Sequence, residues 1–401
     1  MEYFDELNEN GEKTGRRVER SFAHENGILH ATSQIYIYRY HKGRLEILLQ
    51  KRSPDKDSYP GKLDISCAGH VPSGMDYDSN ALKELSEELG ITADISSLKR
   101  IGVFRTSKKA EFYGKKFHDE QLSAVYISEL YLDASEIKFQ KEEISAVLWM
   151  SADEIVRRLD LNDDAFCLNP ERFKAALGAI YHNIKILYSD ENMTVCVKPP
   201  SVLSQGDESG NVDMLSLLND NFGHTFYPVH RLDRNTGGVM VFAKNSTAAA
   251  KLSLLAADKE NFIKEYYAVT EGQAPESGNF CDLLIKSGGK AFIAKKERKG
   301  VKKAELSFYK IAEAATEKGD YSLLCVRLLT GRFHQIRAQF SSRRLPLAGD
   351  GKYGGRDNGC TYALYAKGLE FTSPFNGEKL KFSQDPPPDY PWSLFSDYLN
   401  Q

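Results

Sequence analysis

No window of this sequence approaches the roughly 18 consecutive apolar residues of a membrane-spanning helix, so no contact with a membrane is expected. The N-terminus also lacks the basic start of a secretion signal. Met1-Glu2-Tyr3-Phe4-Asp5-Glu6 is acidic instead, which points to residence in the cytoplasm. Cysteine is sparse and scattered. The six residues Cys67, Cys167, Cys196, Cys281, Cys325 and Cys360 form no Cys-x-x-Cys pair. That spacing argues against a zinc ribbon or a disulfide framework and for reduced thiols, mostly packed in the core. Repeats and low-complexity tracts are missing, and a content of 41% hydrophobic and 27% charged residues is that of a soluble globular protein. A strong charge of one sign is absent as well. The formal net charge of −3 over 401 residues does not by itself suggest a polyanionic partner.

The length suffices for two or three domains, each with its own core. Divided near residue 180, the first part carries 25 Lys and Arg against 31 Asp and Glu, and the remainder 28 against 25, so the halves differ in sign. A boundary follows Asn169-Pro170-Glu171, where Pro170 starts a short helix through Ala175-Ala176-Leu177 that Gly178 is expected to end. Ile184-Lys185-Ile186-Leu187-Tyr188 and Thr194-Val195-Cys196-Val197 then read as strands around an Asp190-Glu191-Asn192 turn. This predicts domains over residues 1–175 and 183–401. The first alternates strands with two long helical patterns, whereas short strands dominate the second.

The second half contains His230-Arg231-Leu232-Asp233-Arg234-Asn235-Thr236-Gly237-Gly238 ahead of the apolar run Val239-Met240-Val241-Phe242-Ala243. One carboxylate between two arginines, on a glycine-ended turn feeding a buried strand, presents an ionised acid in a phosphate-attracting setting. The positive excess of this half is concentrated between Lys286 and Lys303, a glycine-punctuated loop containing Lys295, Lys296, Lys302 and Lys303. Such a loop can follow a phosphate backbone without reading sequence; the plainer reading is a solvated hairpin.

Four ordered blocks carry a resemblance. They are Asp190 to Pro200, the Asp233 string, Lys264-Glu265-Tyr266-Tyr267-Ala268-Val269, and Gly331-Arg332-Phe333-His334-Gln335-Ile336-Arg337 followed by Gly349-Asp350-Gly351. Together they resemble the RluA-type pseudouridine synthases. Gly237 stands where that family usually has Ser, and Tyr365 where it usually has His. The resemblance implies an α+β fold with a mainly antiparallel mixed sheet and an enzyme that isomerises a uridine in rRNA or tRNA without a cofactor. Asp233 is then the nucleophile. Arg337 is the cation that keeps it ionised, and Tyr266 stacks on the extracted base and accepts or relays the proton from carbon 5. The expected RNA contacts are Arg231, Arg234, Arg332, Lys264 and the loop lysines Lys295, Lys296, Lys302 and Lys303. His230 and His334 are assigned structural hydrogen bonds.

In the first half, Gly69-His70-Val71-Pro72-Ser73-Gly74-Met75 leads into a helical pattern over residues 78–91. Leu82, Leu85 and Leu89 form its apolar stripe, Gly90 fits the C-cap, and Glu84, Glu87 and Glu88 are expected to gather on the other side. Clustered acids repel unless a cation joins them, and oxygen ligands suit magnesium or manganese. An acidic surface helix is the alternative. The segment from Gly69 to Gly90 and Ile91 resembles the Nudix box, with Met75 in place of its Glu and Lys83 in place of its Arg, two side chains that brace the loop in that family. The resemblance implies an α/β/α sandwich over roughly residues 1–165 that binds Mg²⁺ or Mn²⁺ through Glu84, Glu87 and Glu88. Glu84 or Glu88 would assist water in hydrolysing a nucleoside diphosphate or another diphosphate. Within that superfamily the chain looks most like the branch containing isopentenyl-diphosphate isomerase, but Ala68 and Gln121 replace the cysteine and the acid that isomerase chemistry requires. Two other readings stand beside these: a Nudix hydrolase with an RNA-binding tether, and an RNA-binding module without catalysis.

Overall fold

A computed structural model of the chain describes residues 2–56, 58–112, 115–208, 210–356 and 361–399. Cys360, expected among the core thiols, lies outside them; the five other cysteines are free, with Cys67, Cys196 and Cys325 buried. The chain divides into two compact units, one of Met1–Arg39 with Leu45–Tyr181 and one of Tyr40–Arg44 with His182–Gln401. No helix among the described residues is long and apolar enough to cross a membrane.

The first unit opens with a two-stranded hairpin, β1 (Tyr3–Leu7) and β2 (Lys13–Glu19), and the short helix α1 (Arg20–Asn26). A mixed sheet follows. It is built from β3 (His30–His41), β4 (Arg44–Arg52), β5 (Leu63–Asp64), β6 (Cys67–His70), β7 (Lys99–Phe112), β8 (Lys115–Glu129) and β9 (Ile144–Ser151). Its central order is β5-β4-β3-β8-β7, with β6 on β3 and β9 on β4. Parallel pairing of β3 with β8 places both at the centre, so Ile35, Ile37, Ala124 and Tyr126 are fully covered. Helices α2 (Tyr77–Leu89), α3 (Ala152–Asp160) and α4 (Pro170–Tyr181) complete the expected α/β sandwich. Gly178 does not end α4, which continues to Tyr181. Phe173, Ala176 and Ile180 are buried one turn apart, and this packed stripe outweighs the roughly 1 kcal/mol that a glycine costs inside a helix.

The second unit is one large sheet with three helices: β10 (Ile186–Ser189), β11 (Met193–Lys198), α5 (Met214–Phe222), β12 (Tyr227–Pro228), β13 (Gly237–Ala243), α6 (Ser246–Ala257), β14 (Phe262–Glu271), β15 (Ser277–Ser287), β16 (Lys290–Ile293), β17 (Lys302–Thr316), β18 (Gly319–Leu328), α7 (Gln335–Ser341), β19 (Leu364–Thr372) and β20 (Lys379–Ser383). The order is β10-β11-β13-β19-β14-β18-β17-β15-β16, with β12 on β13 and β20 on β19. Among the described residues every pairing in it is antiparallel except β13 with β19. This is the mainly antiparallel mixed sheet the sequence implied. The expectation of short strands fails for the β17–β18 hairpin, whose strands run 15 and 10 residues. Alternation along β17 buries one face only, a pattern that holds over any length and is punctuated only where the chain must turn. By contrast β13 is buried at every position, as its unbroken apolar run requires between neighbours on both sides.

Candidate active sites

In the second unit Asp233 sits on the loop that enters β13. Its carboxylate is 27% exposed and lies 3.7 Å from both Arg337 Nη1 and His334 Nε2. The loop is fixed from below. Lys198, fully buried at the end of β11, donates to the carbonyls of Val202 at 2.6 Å and of Pro199 and Arg234 at 2.9 Å. Burial pushes the Lys198 ammonium down to about 7, and the charge of Asp233 pulls the other way. Three carbonyl acceptors match the three N–H groups of an ammonium, whereas a neutral amine has only two, so the loop is built round the charged form. Ser204 adds a reciprocal pair of 2.9 Å bonds, accepting from Leu232 N and donating to Leu232 O.

Arg337, on the first turn of α7, was expected to pair with Asp233. It faces Asp233 with Nη1 alone, because its fork is occupied by Asp350, at 2.7 and 2.8 Å, both groups buried. The guanidinium also lies 3.6 Å from the centre of the Tyr362 ring. Held this way, it offers one remaining edge to Asp233 and cannot swing away. Burial raises the Asp233 pKa, and Arg337, Arg231 and Lys198 oppose that rise. His334 stands in the left-handed backbone region at φ 50°, a strained conformation for a residue with a side chain. Its Nδ1 bonds the Tyr353 hydroxyl at 3.0 Å, and burial brings its pKa to about 3, so it faces Asp233 as a neutral ring. His230 accepts from Val241 N at 3.3 Å. Tyr266 is buried on β14, and both burial and the charge of Asp233 raise the pKa of its phenol. It remains protonated at neutral pH.

The cationic residues are less uniform. Arg231 is exposed beside Asp233. Arg234 is spent partly on Ser201 O at 3.1 Å, and Arg332 on Lys303 O at 3.0 Å. Lys264 turns inward to Ala256 O at 3.1 Å, closing the end of α6. Lys295, Lys296, Lys302 and Lys303 are exposed around the β15–β16 hairpin, although Lys303 pairs with Glu305 at 2.7 Å. The hairpin is joined to the site. Lys286 lies over Phe333, and Ala291 N donates to the Tyr353 hydroxyl at 2.6 Å. Sequence reading passed over Lys198, Asp350, Tyr353 and Tyr362 as site residues. Lys198 and Asp350 stand within the Asp190 to Pro200 and Gly349-Asp350-Gly351 blocks, but only the fold shows what they touch.

In the first unit, α2 separates the three acids. Successive helical residues turn by about 100°, so Glu84 and Glu88 share the buried face while Glu87 points outward, 56% exposed and 2.7 Å from Lys83. This corrects the expectation of one triple-acid face opposite the leucines: Glu84 and Glu88 flank buried Leu85. Burial raises both carboxyls, and each Glu88 proton is further favoured by the charge of Glu84, bringing Glu88 to about 7. Glu88 accepts from Ala68 N at 3.3 Å and from the Cys67 thiol. Gly90 caps α2 in the left-handed conformation, φ 64°. Gly69 is required by approach rather than by backbone angle: a Cβ there would lie 2.1 Å from Glu84 Cδ. Gly69→Ala is therefore expected to displace Glu84 and lower divalent-metal affinity by about 10- to 100-fold with the fold retained, read by isothermal titration with Mn²⁺.

The missing Glu–Arg brace of the loop before α2 is replaced from elsewhere. Asp5 of β1 accepts from Gly74 N at 2.9 Å and Ser73 Oγ at 2.5 Å, Ser73 N donates to Tyr3 O at 2.8 Å, and Lys13 reaches Met75 O at 3.2 Å. Lys83, freed from the loop, turns to Glu84 and Glu87.

Residues 192–342 match the RNA pseudouridylate synthase family and residues 30–169 the NUDIX domain. The chain is 32% identical over 219 residues to tRNA pseudouridine synthase C of Yersinia pestis, a match covering 49% of this chain and 84% of that protein. An uncharacterised Nudix hydrolase of Clostridium acetobutylicum is 31% identical over 195 residues, covering 47% of this chain and 89% of the relative. Nudix hydrolase 3 of Arabidopsis thaliana is 35% identical over 168 residues, 41% of this chain but only 21% of the plant protein's length.

Proposed function

The chain belongs to the Nudix family through its first unit and to the RNA pseudouridylate synthase family through its second, and from this premise we propose that it isomerises a specific uridine in rRNA or tRNA with Asp233 as nucleophile. The observation that carries the reading is the Asp233 carboxylate itself, open on one side and faced by the clamped guanidinium of Arg337 at 3.7 Å. The reaction breaks the bond from ribose to the uracil nitrogen and makes one to carbon 5; the carbon 5 proton leaves and the freed nitrogen gains one. Redox change and an external nucleophile are unnecessary, so residues must supply an ionised carboxylate, a stacking wall and a proton path. Tyr266, protonated by burial, suits stacking and proton relay rather than service as a standing base. Arg231 and the hairpin lysines are disposed to hold RNA phosphates beside a flipped nucleotide.

In the same reading, the first unit hydrolyses a diphosphate-linked substrate with a divalent cation. Two buried carboxylates, with the charge of Glu84 raising the Glu88 pKa and Glu84 seated against Gly69, are a donor set that a hard cation would relieve. Glu84 and Glu88 would hold the ion, with Glu87 at its solvent side, and the ion would neutralise diphosphate oxygens. Cytoplasmic location fits both substrates.

Purified protein incubated with unmodified rRNA and tRNA transcripts tests the first activity, read by mapping pseudouridine at nucleotide resolution. Conversion of one or a few uridines without added cofactor is expected. No conversion would leave an RNA-binding module, and Mg²⁺-dependent phosphate release from a nucleoside diphosphate panel, lost in Glu88→Gln, would make the Nudix unit the main enzyme. A pH profile adds a finer check. Because burial raises Asp233, the acid limb of kcat/KM should lie above the ordinary carboxylate range. Arg337→Met removes a cation that lowers this pKa and should move the limb further up.

A further inference from the structure

We propose that the second unit binds a guanosine phosphate in a cleft behind β14, on the face of the sheet turned away from Asp233. The cleft has a volume of about 330 Å³ and is lined by β14, β19, β20 and Tyr398 of the C-terminal segment Trp392–Tyr398. That size falls within the range of small-molecule sites, roughly 300–1,000 Å³. Side chains alternate across a strand. Tyr266, whose phenol feels the charge of Asp233, therefore points to one face, and Ile263, Glu265 and Tyr267 point to the other and line the cleft.

The fold keeps charged groups available on this face instead of pairing them. Glu265 stands directly opposite Arg327 of β18, a register in which a carboxylate and a guanidinium on one face can meet. They do not. Among the described residues neither makes a hydrogen bond or an ion pair, and Arg327 Nε is buried without a partner. A buried N–H in that condition costs free energy, which an acceptor brought by a ligand recovers. On the other side of Glu265 is Gly368 of β19, which adds no side chain to cover the carboxylate. Glu370, by contrast, is neutralised by Lys379 at 3.1 Å and Lys381 at 4.0 Å. A bulge supplies a second cation. Glu265 pairs with Gly368 and Tyr267 with Tyr365, so Ala366 and Lys367 of β19 together stand opposite Tyr266. The extra residue turns Lys367 onto the cleft face, where its Nζ lies 4.7 Å from the centre of the Tyr267 ring.

A ligand for this cleft carries donors for a carboxylate and acceptors for Arg327 and Lys367, on a body that packs beside tyrosine. A carboxylate has two oxygens and only accepts, so an edge with two adjacent N–H groups matches it best. Among the RNA bases guanine alone offers such an edge, at N1 and N2. Adenine and cytosine place an acceptor beside the amino group, and uracil has one N–H between two carbonyls. Phosphate oxygens suit the two cations. Tyr398, 52% exposed at the cleft, supplies a ring on which the base can stack.

The cleft stands independently of both proposed activities. Its test is isothermal titration of the full chain with GMP, IMP, AMP, UMP and CMP in EDTA, which withholds divalent ions from the first unit. GMP is expected to bind best, and IMP, which lacks the 2-amino group, to bind at least about tenfold more weakly. Glu265→Gln should lower GMP affinity by at least about tenfold and bring GMP and IMP level, whereas Lys367→Met should erase the advantage of GMP over guanosine. Circular dichroism verifies the fold of each variant. Asp233→Asn and Glu88→Gln should bind GMP as the wild type does, which separates the cleft from both candidate active sites. A trinucleotide with guanosine 5′-phosphate at its first position distinguishes the two sources of this group: tighter binding than GMP marks RNA, and equal or weaker binding marks a free nucleotide. Absence of GMP binding to the wild-type chain at millimolar concentration would overturn the proposal without recourse to any variant. So would equal affinity for all the nucleotides, or GMP binding that is lost in Glu88→Gln but kept in Glu265→Gln, and none of these results would bear on uridine isomerisation.

Discussion

Asp233→Asn is expected to lower uridine isomerisation by at least about 10⁴-fold, the scale seen when a nucleophile is removed from an otherwise intact site. The substitution preserves shape, so the three carbonyl bonds of Lys198 and the Arg337–Asp350 fork should persist. RNA affinity should change little, because the exposed cations are untouched. Stability should not fall. The raised folded pKa of Asp233 means that the folded state holds its proton more tightly than the unfolded chain does. Ionisation therefore costs folding free energy as pH rises past the ordinary carboxylate range, and an amide removes that cost. Cells carrying only the Asp233→Asn protein, mapped against wild type, should lack pseudouridine at the target uridines. Coincident maps together with wild-type turnover of purified Asp233→Asn protein would rule Asp233 out as the nucleophile.

Gly238→Ala should be the most damaging single methyl in the second unit. Gly238 has φ 122°, outside the range of residues with side chains, and a Cβ there would lie 2.2 Å from Ala366 O and 2.7 Å from Ala366 C and N. These are backbone atoms of β19 at the parallel junction with β13, where Gly238 also faces Lys198 of β11. Neither strand can yield without disturbing both its neighbours, so a loss of about 4 kcal/mol or more is expected. Gly237→Ala provides the contrast: its Cβ would meet side-chain atoms of Tyr365 and Pro200 at 3.0 and 3.1 Å, without a positive φ, and should cost about 1–3 kcal/mol. Trp149 lies in the first unit and Trp392 in the second. In a Trp149→Phe background, urea unfolding followed by the fluorescence of Trp392 reads the second unit alone. Equal midpoints for the two alanine variants would refute the junction argument.

Much of the architecture is legible before folding. The unbroken run Val239–Phe242 demands a strand covered on both sides, and the spacing of Leu82, Leu85 and Leu89 before Gly90 demands a capped helix, because each pattern can bury its apolar atoms in only one way. The limits are equally physical. Glu84, Glu87 and Glu88 read alike as letters, yet rotation along α2 buries two and exposes the third. Lys264 reads as a cation for RNA, yet its ammonium turns to the Ala256 carbonyl and closes α6.

The sequence by itself determined the two families, the alternation of buried and exposed positions, and Asp233 as the carboxylate to watch, since these depend on residues close together in the chain. Tertiary structure alone decided which side chains meet across long separations. It gave Arg337 to Asp350, placed Lys198 beneath the Asp233 loop, replaced the missing loop brace with Asp5, and set Glu265 across from Arg327. Such meetings depend on strand order and register, and no local pattern of residues encodes the distance between side chains that different elements carry.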